Sequence, residues 1–322
     1  MGLHHLPKFF NRLFAIVALL NLEGISATTF TFVNKCEYTV WPGIQAGAGS
    51  PNLDSTGFEL TTGSSSSFQA PAGWSGRFWG RTGCNFDQSG HGSCATADCG
   101  SGQIECNGAG ADPPATLAEF TLNGADGKDF YDVSLVDGYN LPMIVEANGE
   151  SGACASTGCV VDINQRCPAE LRAGEGGACK SACQAFGSPE YCCSGAYNSP
   201  AACKPSVYSM MFKSACPRSY SYAYDDATST FTCSAADYTI IFCPSLPSQK
   251  STTDSSGTTA TTAGSGGGTA AGAMLADQSW LANTATGDST RKHPCLAVQF
   301  AVLVGISSVV LSVIDSKSLS IT

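Results

Sequence analysis

The chain has 322 residues, of which 13% are charged, and it carries a formal net charge of −10 and 17 cysteines. This length fits one large domain or two ordinary ones. The acidic balance excludes a nucleic-acid-binding protein and argues against electrostatic attraction to anionic membranes. The balance fits neutral or cationic partners, although solubility is the simpler explanation of it. We also expect the protein to be a monomer.

The first 27 residues have the pattern of a secretory signal peptide. Lys8 and Arg12 precede the apolar run Leu13–Leu22, and the small residues Ser26 and Ala27 follow it. The run is too short to span a membrane, so we expect cleavage after Ala27 and export. In an exported chain, the sixteen cysteines from position 36 to position 243 are typical of a disulfide framework.

Metal-binding and nucleophilic roles for the cysteines are disfavoured. Only His91 and His293 remain after the signal peptide is removed, and the chain contains no Cys-x-x-Cys pair. A zinc site or a serine–histidine–carboxylate triad needs such residues close together. We predict no metal site and no cofactor.

Short stretches rich in β-branched and aromatic residues predict strands in the first half of the chain and again near position 240. The predicted strands are two within Thr28–Trp41, then Phe58–Leu60, Ser67–Ala70, Trp74–Arg81, Ala115–Asn123, Asp129–Val136, Leu141–Ala147, Phe231–Cys233 and Tyr238–Cys243. In the run Ala115–Asn123, Phe120 alternates with Glu119, which places an apolar and a polar face on one strand. Short alternating strands separated by turns indicate a mainly β fold, an antiparallel β-sandwich.

A second region, at about residues 150–217, is rich in cysteine and poor in strand pattern. Short helices are predicted at Pro168–Arg172 and at Ala178–Phe186, the latter ending at Gly187. So few large apolar side chains cannot form a sufficient core. We expect disulfides to stabilise the region, each by roughly 2–4 kcal/mol.

The C-terminal part of the chain predicts attachment to a membrane. Residues 245–294 are rich in Ser, Thr and Gly, which predicts a flexible stalk. Within residues 295–322, the apolar run Leu296–Ile314 follows a polar spacer and small residues around Asn283. This is the pattern of a GPI-anchor signal with Asn283 as the candidate attachment site. A single-pass helix is the alternative, because the chain ends in polar residues, and a soluble protein is disfavoured.

The stretch Gly90–Cys106, G-H-G-S-C-A-T-A-D-C-G-S-G-Q-I-E-C, resembles the signature of the thaumatin-like family at every fixed position. Two further strings support the resemblance, W-G-R-T-G-C-N-F and Y-D-V-S-L-V-D-G-Y-N-L-P-M. Residues 28–244 are therefore identified as a thaumatin-like domain of the plant pathogenesis-related, osmotin and thaumatin type.

This resemblance implies the disulfide pairing, which spacing alone leaves open. The eight implied pairs are Cys36–Cys243, Cys84–Cys94, Cys99–Cys106, Cys154–Cys233, Cys159–Cys216, Cys167–Cys179, Cys183–Cys192 and Cys193–Cys203.

The resemblance also implies a cleft lined by one arginine and four acids. Matching the family's motifs residue by residue places these at Arg77, Glu119, Asp132, Asp137 and Asp226. Asp225 is adjacent to Asp226 and leaves that last assignment open. We expect Phe78, Trp79 and Tyr139 to offer aromatic surfaces on which a sugar could stack.

Three functions fit such a cleft. In the first, it binds β-1,3-glucan or another cell-wall polysaccharide at the extracellular face of the plasma membrane or in the wall, as part of antifungal defence. In the second, Glu119 as acid and Asp137 as its partner hydrolyse the glucan weakly, because crowded carboxylates acquire different pKa values. In the third, the ionic residues are structural and the domain is a scaffold for protein partners.

Overall fold

The computed structural model describes residues 27–149, 154–174, 177–234 and 236–244. The predicted signal peptide, stalk and hydrophobic tail lie outside the described residues. Within the described ranges, no helix is long and apolar enough to cross a lipid bilayer.

Strands dominate the architecture. In chain order they are β1 (Thr28–Asn34), β2 (Trp41–Ala46), β3 (Ser65–Ala70), β4 (Ser75–Arg81), β5 (Asn85–Phe86), β6 (Gly92–Ser93), β7 (Leu117–Thr121), β8 (Asp129–Ser134), β9 (Met143–Asn148), β10 (Thr157–Cys159), β11 (Arg172–Ala173), β12 (Ala178–Cys179), β13 (Phe231–Cys233) and β14 (Asp237–Phe242). The helices are α1 (Ala182–Phe186), α2 (Pro189–Cys192), α3 (Val207–Ala215) and α4 (Asp226–Ser229), with 3₁₀ turns at Ala125–Gly127, Ile163–Arg166, Ala169–Leu171 and Gly195–Tyr197.

Two five-stranded sheets form the sandwich. The first has the order β10-β9-β14-β1-β3, and the second has the order β13-β8-β7-β4-β2. Pairing is antiparallel within both sheets except between β1 and β14, which run parallel. The predicted antiparallel sandwich is confirmed with this one difference. The disulfide Cys36–Cys243 joins the chain just beyond the ends of these two parallel strands.

Aromatic side chains fill the space between the sheets. Phe30 of β1 lies 4.8 Å, centroid to centroid, from both Phe78 of β4 and Phe120 of β7. All three side chains are buried, as are Tyr131 of β8 and Tyr238 of β14. Phe120 therefore faces the core as its alternation predicts, which leaves its neighbour Glu119 on the outer face of the second sheet.

That outer face is covered at one end by the signature loop. Trp79 and Leu117 project from it into a small cluster with Ala97 and the disulfide Cys99–Cys106. The fully buried Arg81 donates hydrogen bonds to backbone carbonyls of Trp41, Pro42 and Ile104, which ties the loop to the sheet. The glycine-rich signature is thus a cover for the sheet.

The disulfide-rich region covers the other end and has a small core of its own. Leu135, Tyr139, Ile163, Leu171 and Phe212 pack there against disulfide-bonded cysteines. All eight cysteine pairs that the family resemblance implies are disulfides in the structure.

Several predicted elements differ from the structure. Phe58–Leu60 makes only isolated bridges, because it lies across β2 as a loop. Ala178–Cys179 forms β12 instead of helix, and α1 begins at Ala182 because the side chain of Ser181 caps its first turn. α1 ends at Gly187 as predicted, where φ is +64°.

Candidate functional site

Three of the predicted site residues form one row across the second sheet. In the strand register, Arg77 of β4 lies directly opposite Glu119 of β7, and Glu119 lies directly opposite Asp132 of β8. Residues directly opposite each other on neighbouring strands present their side chains on the same face. The row therefore lies on the outer face, between the signature loop and the disulfide-rich region.

The water-facing part of the row is an ion pair. Arg77 Nε lies 3.7 Å from Glu119 Oε1, and the two side chains are 22% and 21% exposed. Burial raises the pKa of Glu119, and the charge of Asp137 raises it further while Arg77 opposes the shift. Glu119 is thus a carboxyl group that holds its proton more readily than an exposed glutamate, yet is open to solvent.

Asp132 lies beneath this surface. It is 1% exposed, and neither carboxylate oxygen has a hydrogen-bond partner within the described part of the chain. Burial raises its pKa well above the usual range, and the charges of Glu119 and Asp226 add to the shift. A buried, unpaired carboxylate is costly, so this group favours the neutral acid. The expectation that Asp132 contacts a ligand directly is therefore wrong for this geometry, because its oxygens are covered.

Asp137 comes three residues after the end of β8, in the turn that contains Gly138 at φ +87°. It is half-buried, and its carbonyl accepts a hydrogen bond from the backbone N–H of Ala115. Burial raises the pKa of its carboxyl group, and the charge of Arg77 opposes the shift. Asp137 and Glu119 are thus close enough to influence one another and share one cation.

The fourth acid is Asp226, at the start of α4. Its Oδ1 accepts a hydrogen bond of 2.9 Å from the hydroxyl of Tyr220, which also contacts Thr230 Oγ1. Tyr220 pairs with the end of β8 through backbone hydrogen bonds to Val133 and Leu135, which places Asp226 within electrostatic reach of Asp132. The structure therefore brings all five predicted polar residues into one electrostatic group.

Asp225, the alternative to Asp226, has a different environment. Its Oδ2 accepts hydrogen bonds from the backbone N–H and hydroxyl of Ser221 and lies 3.0 Å from Lys213 Nζ. Lys213 also donates to Ser219 O and to Ser229 Oγ. Asp225 is thus engaged in holding the segment that carries Asp226.

Tyr220 and Lys213 were not predicted as site residues. Tyr220 lies in the segment 219–229, and Lys213 contacts this segment from α3. Only the fold shows that Tyr220 contacts Asp226 and that Lys213 contacts Asp225. The run Y-S-Y-A-Y-D-D, residues 220–226, does place aromatic and acidic residues close together in the sequence. No periodicity distinguishes Tyr220 from its two tyrosine neighbours.

The predicted aromatic stacking surface is wrong. Phe78, Trp79 and Tyr139 each have 0% exposure. Phe78 faces the core between the sheets, Trp79 lies under the signature loop, and Tyr139 lies in the core of the disulfide-rich region. On β4, the inner face packs on the core at Phe78 and the signature loop covers the outer face at Trp79, so neither aromatic side chain reaches solvent.

Metal binding has no support within residues 27–149, 154–174, 177–234 and 236–244. No group of three or more His, Cys, Asp or Glu side chains in these ranges could hold an ion. The arrangement is instead one of three carboxyl groups with raised pKa values, those of Glu119, Asp132 and Asp137, beside the guanidinium of Arg77. Such a group can donate hydrogen bonds to hydroxyls and accept hydrogen bonds from them.

Comparison with known proteins assigns the class of this fold and site. The model of the Thaumatin family matches residues 34–244, which is more than half of the chain. The chain belongs to the thaumatin family, and its relatives include pathogenesis-related proteins.

Among curated relatives, it is 68% identical over 235 residues to Thaumatin-like protein 1 of Arabidopsis thaliana, covering 71% of this chain and 90% of that protein. It is 59% identical over 237 residues to Pathogenesis-related thaumatin-like protein 3.5 of Cryptomeria japonica, covering 72% and 97% of the two chains. A solved structure of a thaumatin-like xylanase inhibitor matches at 24% identity with a TM-score of 0.37, over 67% of this chain and 99% of that one.

Proposed function

We propose that this protein is an extracellular defence protein that binds β-1,3-glucan or a related cell-wall polysaccharide through the outer-face row. The observation that carries the proposal is the pair Arg77–Glu119, which is about one-fifth exposed and lies beside Asp137. A guanidinium offers only donors, whereas a carboxyl group that readily takes up a proton offers both donor and acceptor. Polysaccharide hydroxyls need both.

In this proposal, Arg77, Glu119, Asp137 and Asp226 contact the polysaccharide. Asp132 lies below them as a neutral acid, so it adds no negative charge beneath the ion pair. The neutral ligand agrees with the net charge of −10, which repels anionic polymers.

The pKa directions favour binding over hydrolysis. Glycoside hydrolysis needs one carboxyl group that is protonated and a second that is ionised. Burial raises the pKa of both Glu119 and Asp137. The two candidate catalytic groups therefore shift in the same direction, and neither is strongly stabilised as the base.

Hydrolysis remains the second candidate, on one specific observation. Glu119 combines a raised pKa with partial exposure, and these are the properties of a general acid. A scaffold role remains if neither binding nor turnover is measured.

For location, we propose a secreted protein held at the outer face of the plasma membrane by a GPI anchor. The support is the sequence pattern around Asn283 and the apolar run after it. The mass of the mature C-terminus distinguishes an anchor from a transmembrane helix.

The test is retention of the mature protein on insoluble β-1,3-glucan, followed by assay of released reducing sugar. We expect retention without sugar release, and we expect Glu119→Gln to reduce retention at least tenfold. The matched control is Glu146→Gln, on the exposed face of the first sheet. Sugar release that is lost in Glu119→Gln would identify the enzyme instead, and equal retention of both variants would refute a role of the row.

A further inference from the structure

A polar pocket lies apart from the row of Arg77, Glu119 and Asp132 (the acidic row). It has a volume of about 300 Å³ and lies where the segment after β1 meets the 160–166 segment of the disulfide-rich region. The disulfide Cys36–Cys243 forms part of its wall. None of its lining residues belongs to the acidic row, and its volume is at the lower end of the range for small-ligand sites.

The pocket has an exposed aromatic side chain. Tyr38 is 47% exposed and lines the pocket. Its hydroxyl lies 3.6 Å from Cys243 Sγ. Sulfur is a weak hydrogen-bond partner, so the hydroxyl retains capacity for a ligand. The ring supplies the apolar surface that the buried residues Phe78, Trp79 and Tyr139 cannot.

On the wall opposite Lys35 and Glu37, the carboxylate of Asp162 is the acceptor available to a ligand. Asp162 Oδ1 accepts a hydrogen bond from the backbone N–H of Asn164, and its Oδ2 accepts one from Gln165 Nε2. A carboxylate can accept about four hydrogen bonds, so Asp162 retains acceptor capacity. A ligand hydroxyl in the pocket can donate a hydrogen bond to the carboxylate of Asp162.

Both walls are fixed before any ligand arrives. On one side, the buried Asn34 donates to the carbonyls of Tyr38 and Leu60 and accepts from the N–H of Cys36. On the other side, the hydroxyl of Tyr139 donates to Val161 O, and Asn164 Nδ2 donates to Asn140 O. Preformed walls reduce the entropy lost on binding.

The charges of the pocket select the ligand class. Lys35, Glu37 and Asp162 line it, for a balance of −1. Two carboxylates disfavour an anion, and the lysine disfavours a simple cation. The uncommitted acceptors require a ligand rich in hydroxyl donors, and the Tyr38 ring requires one with an apolar face. A sugar ring meets both requirements.

We propose that this pocket is a second carbohydrate site, which takes a single neutral sugar residue with its ring against Tyr38 and its hydroxyls donating to the carboxylate of Asp162. The site is independent of the polysaccharide binding proposed for the acidic row. Two separate sites would let one molecule hold two parts of a glycan, and this strengthens attachment without any new contact.

The test is a titration of the mature protein with methyl β-glucoside, followed by NMR chemical shifts. We expect saturable shifts in residues 35–38 and 162–164. Tyr38→Ala and Asp162→Asn should each weaken binding about tenfold, equivalent to ~1.4 kcal/mol. The matched control is Tyr197→Ala, another exposed tyrosine, which should bind as the wild type does.

Three results would overturn the proposal: the absence of saturable shifts in residues 35–38 and 162–164, shifts of these residues that persist in the Tyr38→Ala/Asp162→Asn double variant, or binding of ethylammonium in preference to the sugar. Because the shifts are measured at residues of this pocket, a failure of the pocket is distinguishable from a failure of the acidic row. Each site can then be accepted or rejected separately.

Discussion

The segment 219–229 carries Asp226, and Lys213 of α3 holds that segment in place. We predict that Lys213→Met destabilises the domain and weakens polysaccharide binding together. The substitution removes the ammonium group, which contacts Asp225, Ser219 O and Ser229 Oγ at 2.8–3.0 Å. The methionine side chain keeps most of the apolar stem, so little packing is lost.

The size of the effect follows from these contacts. Hydrogen bonds from a charged group contribute about 1.5–3 kcal/mol each, and an exposed ion pair only ~0–1 kcal/mol. The side chains of Lys213 and Asp225 are 24% and 11% exposed, which places the pair between the exposed and buried cases. Asp225 also keeps its hydrogen bonds from Ser221. Lys213 donates two such hydrogen bonds, so we expect a loss of about 3 kcal/mol, the lower end of their sum, in the free energy of unfolding.

The assay is urea unfolding of the disulfide-intact protein, with the midpoint and slope measured together. The control is Lys128→Met, an exposed lysine in the turn before β8. We expect the control to change the free energy of unfolding by less than about 0.5 kcal/mol. A loss below ~1 kcal/mol in Lys213→Met, or full polysaccharide binding by that variant, would refute the role assigned to Lys213.

Three further predictions concern the core and the row. The pKa of Asp132 is raised in the folded state. As the pH rises above about 3.9, the unfolded chain loses this proton while the folded protein keeps it, so the free energy of unfolding falls. Asp132→Asn does not titrate, so its stability relative to the wild type should increase from pH ~3 to pH ~7, and a constant difference would contradict this. Phe120→Ala removes a ring that lies 4.8–6.2 Å from four other aromatic rings and should cost about 3–5 kcal/mol by urea unfolding. Replacing Cys36 and Cys243 by serine opens a loop with a sequence separation of 207 and should cost about 5 kcal/mol in the chain-entropy model, which calorimetry would reveal as a lower unfolding temperature.

Alternation on single strands made part of the site predictable. Glu119 is polar between the apolar residues Ala118 and Phe120, and this pattern alone places it on the outer face. The family's motifs then placed Arg77 and Asp132 on neighbouring strands. Their register could not be read from the sequence, because it depends on hydrogen bonding between separate strands, Arg77 being paired with Glu119 and Glu119 with Asp132.

Burial on both faces explains the wrong aromatic prediction. Phe78 and Trp79 follow each other on β4, so one must face each side of the sheet. An exposed outer face would have left Trp79 open to a ligand. The signature loop covers that face at Trp79, and the indole N–H donates to Ala97 O within the loop. The cover comes from a separate, non-periodic segment, which alternation on β4 cannot indicate.

The sequence marks the start of helix α3, although this helix is not among the predicted elements. Ser206 follows Pro205, and its side chain and that of Ser209 cap each other's backbone N–H groups at the start of the helix. The parallel pairing of β1 with β14 has no such sequence signal. Two strands more than 200 residues apart in sequence give no local sign that they will run parallel.

The most direct test of the central claim is the structure of the domain bound to a β-1,3-linked tetrasaccharide. We predict that the sugar lies on the outer face of the second sheet, with hydroxyl oxygens within hydrogen-bonding distance of Arg77 and Glu119. A tetrasaccharide bound elsewhere, with the row free of contacts, would contradict the assignment of polysaccharide binding to these residues.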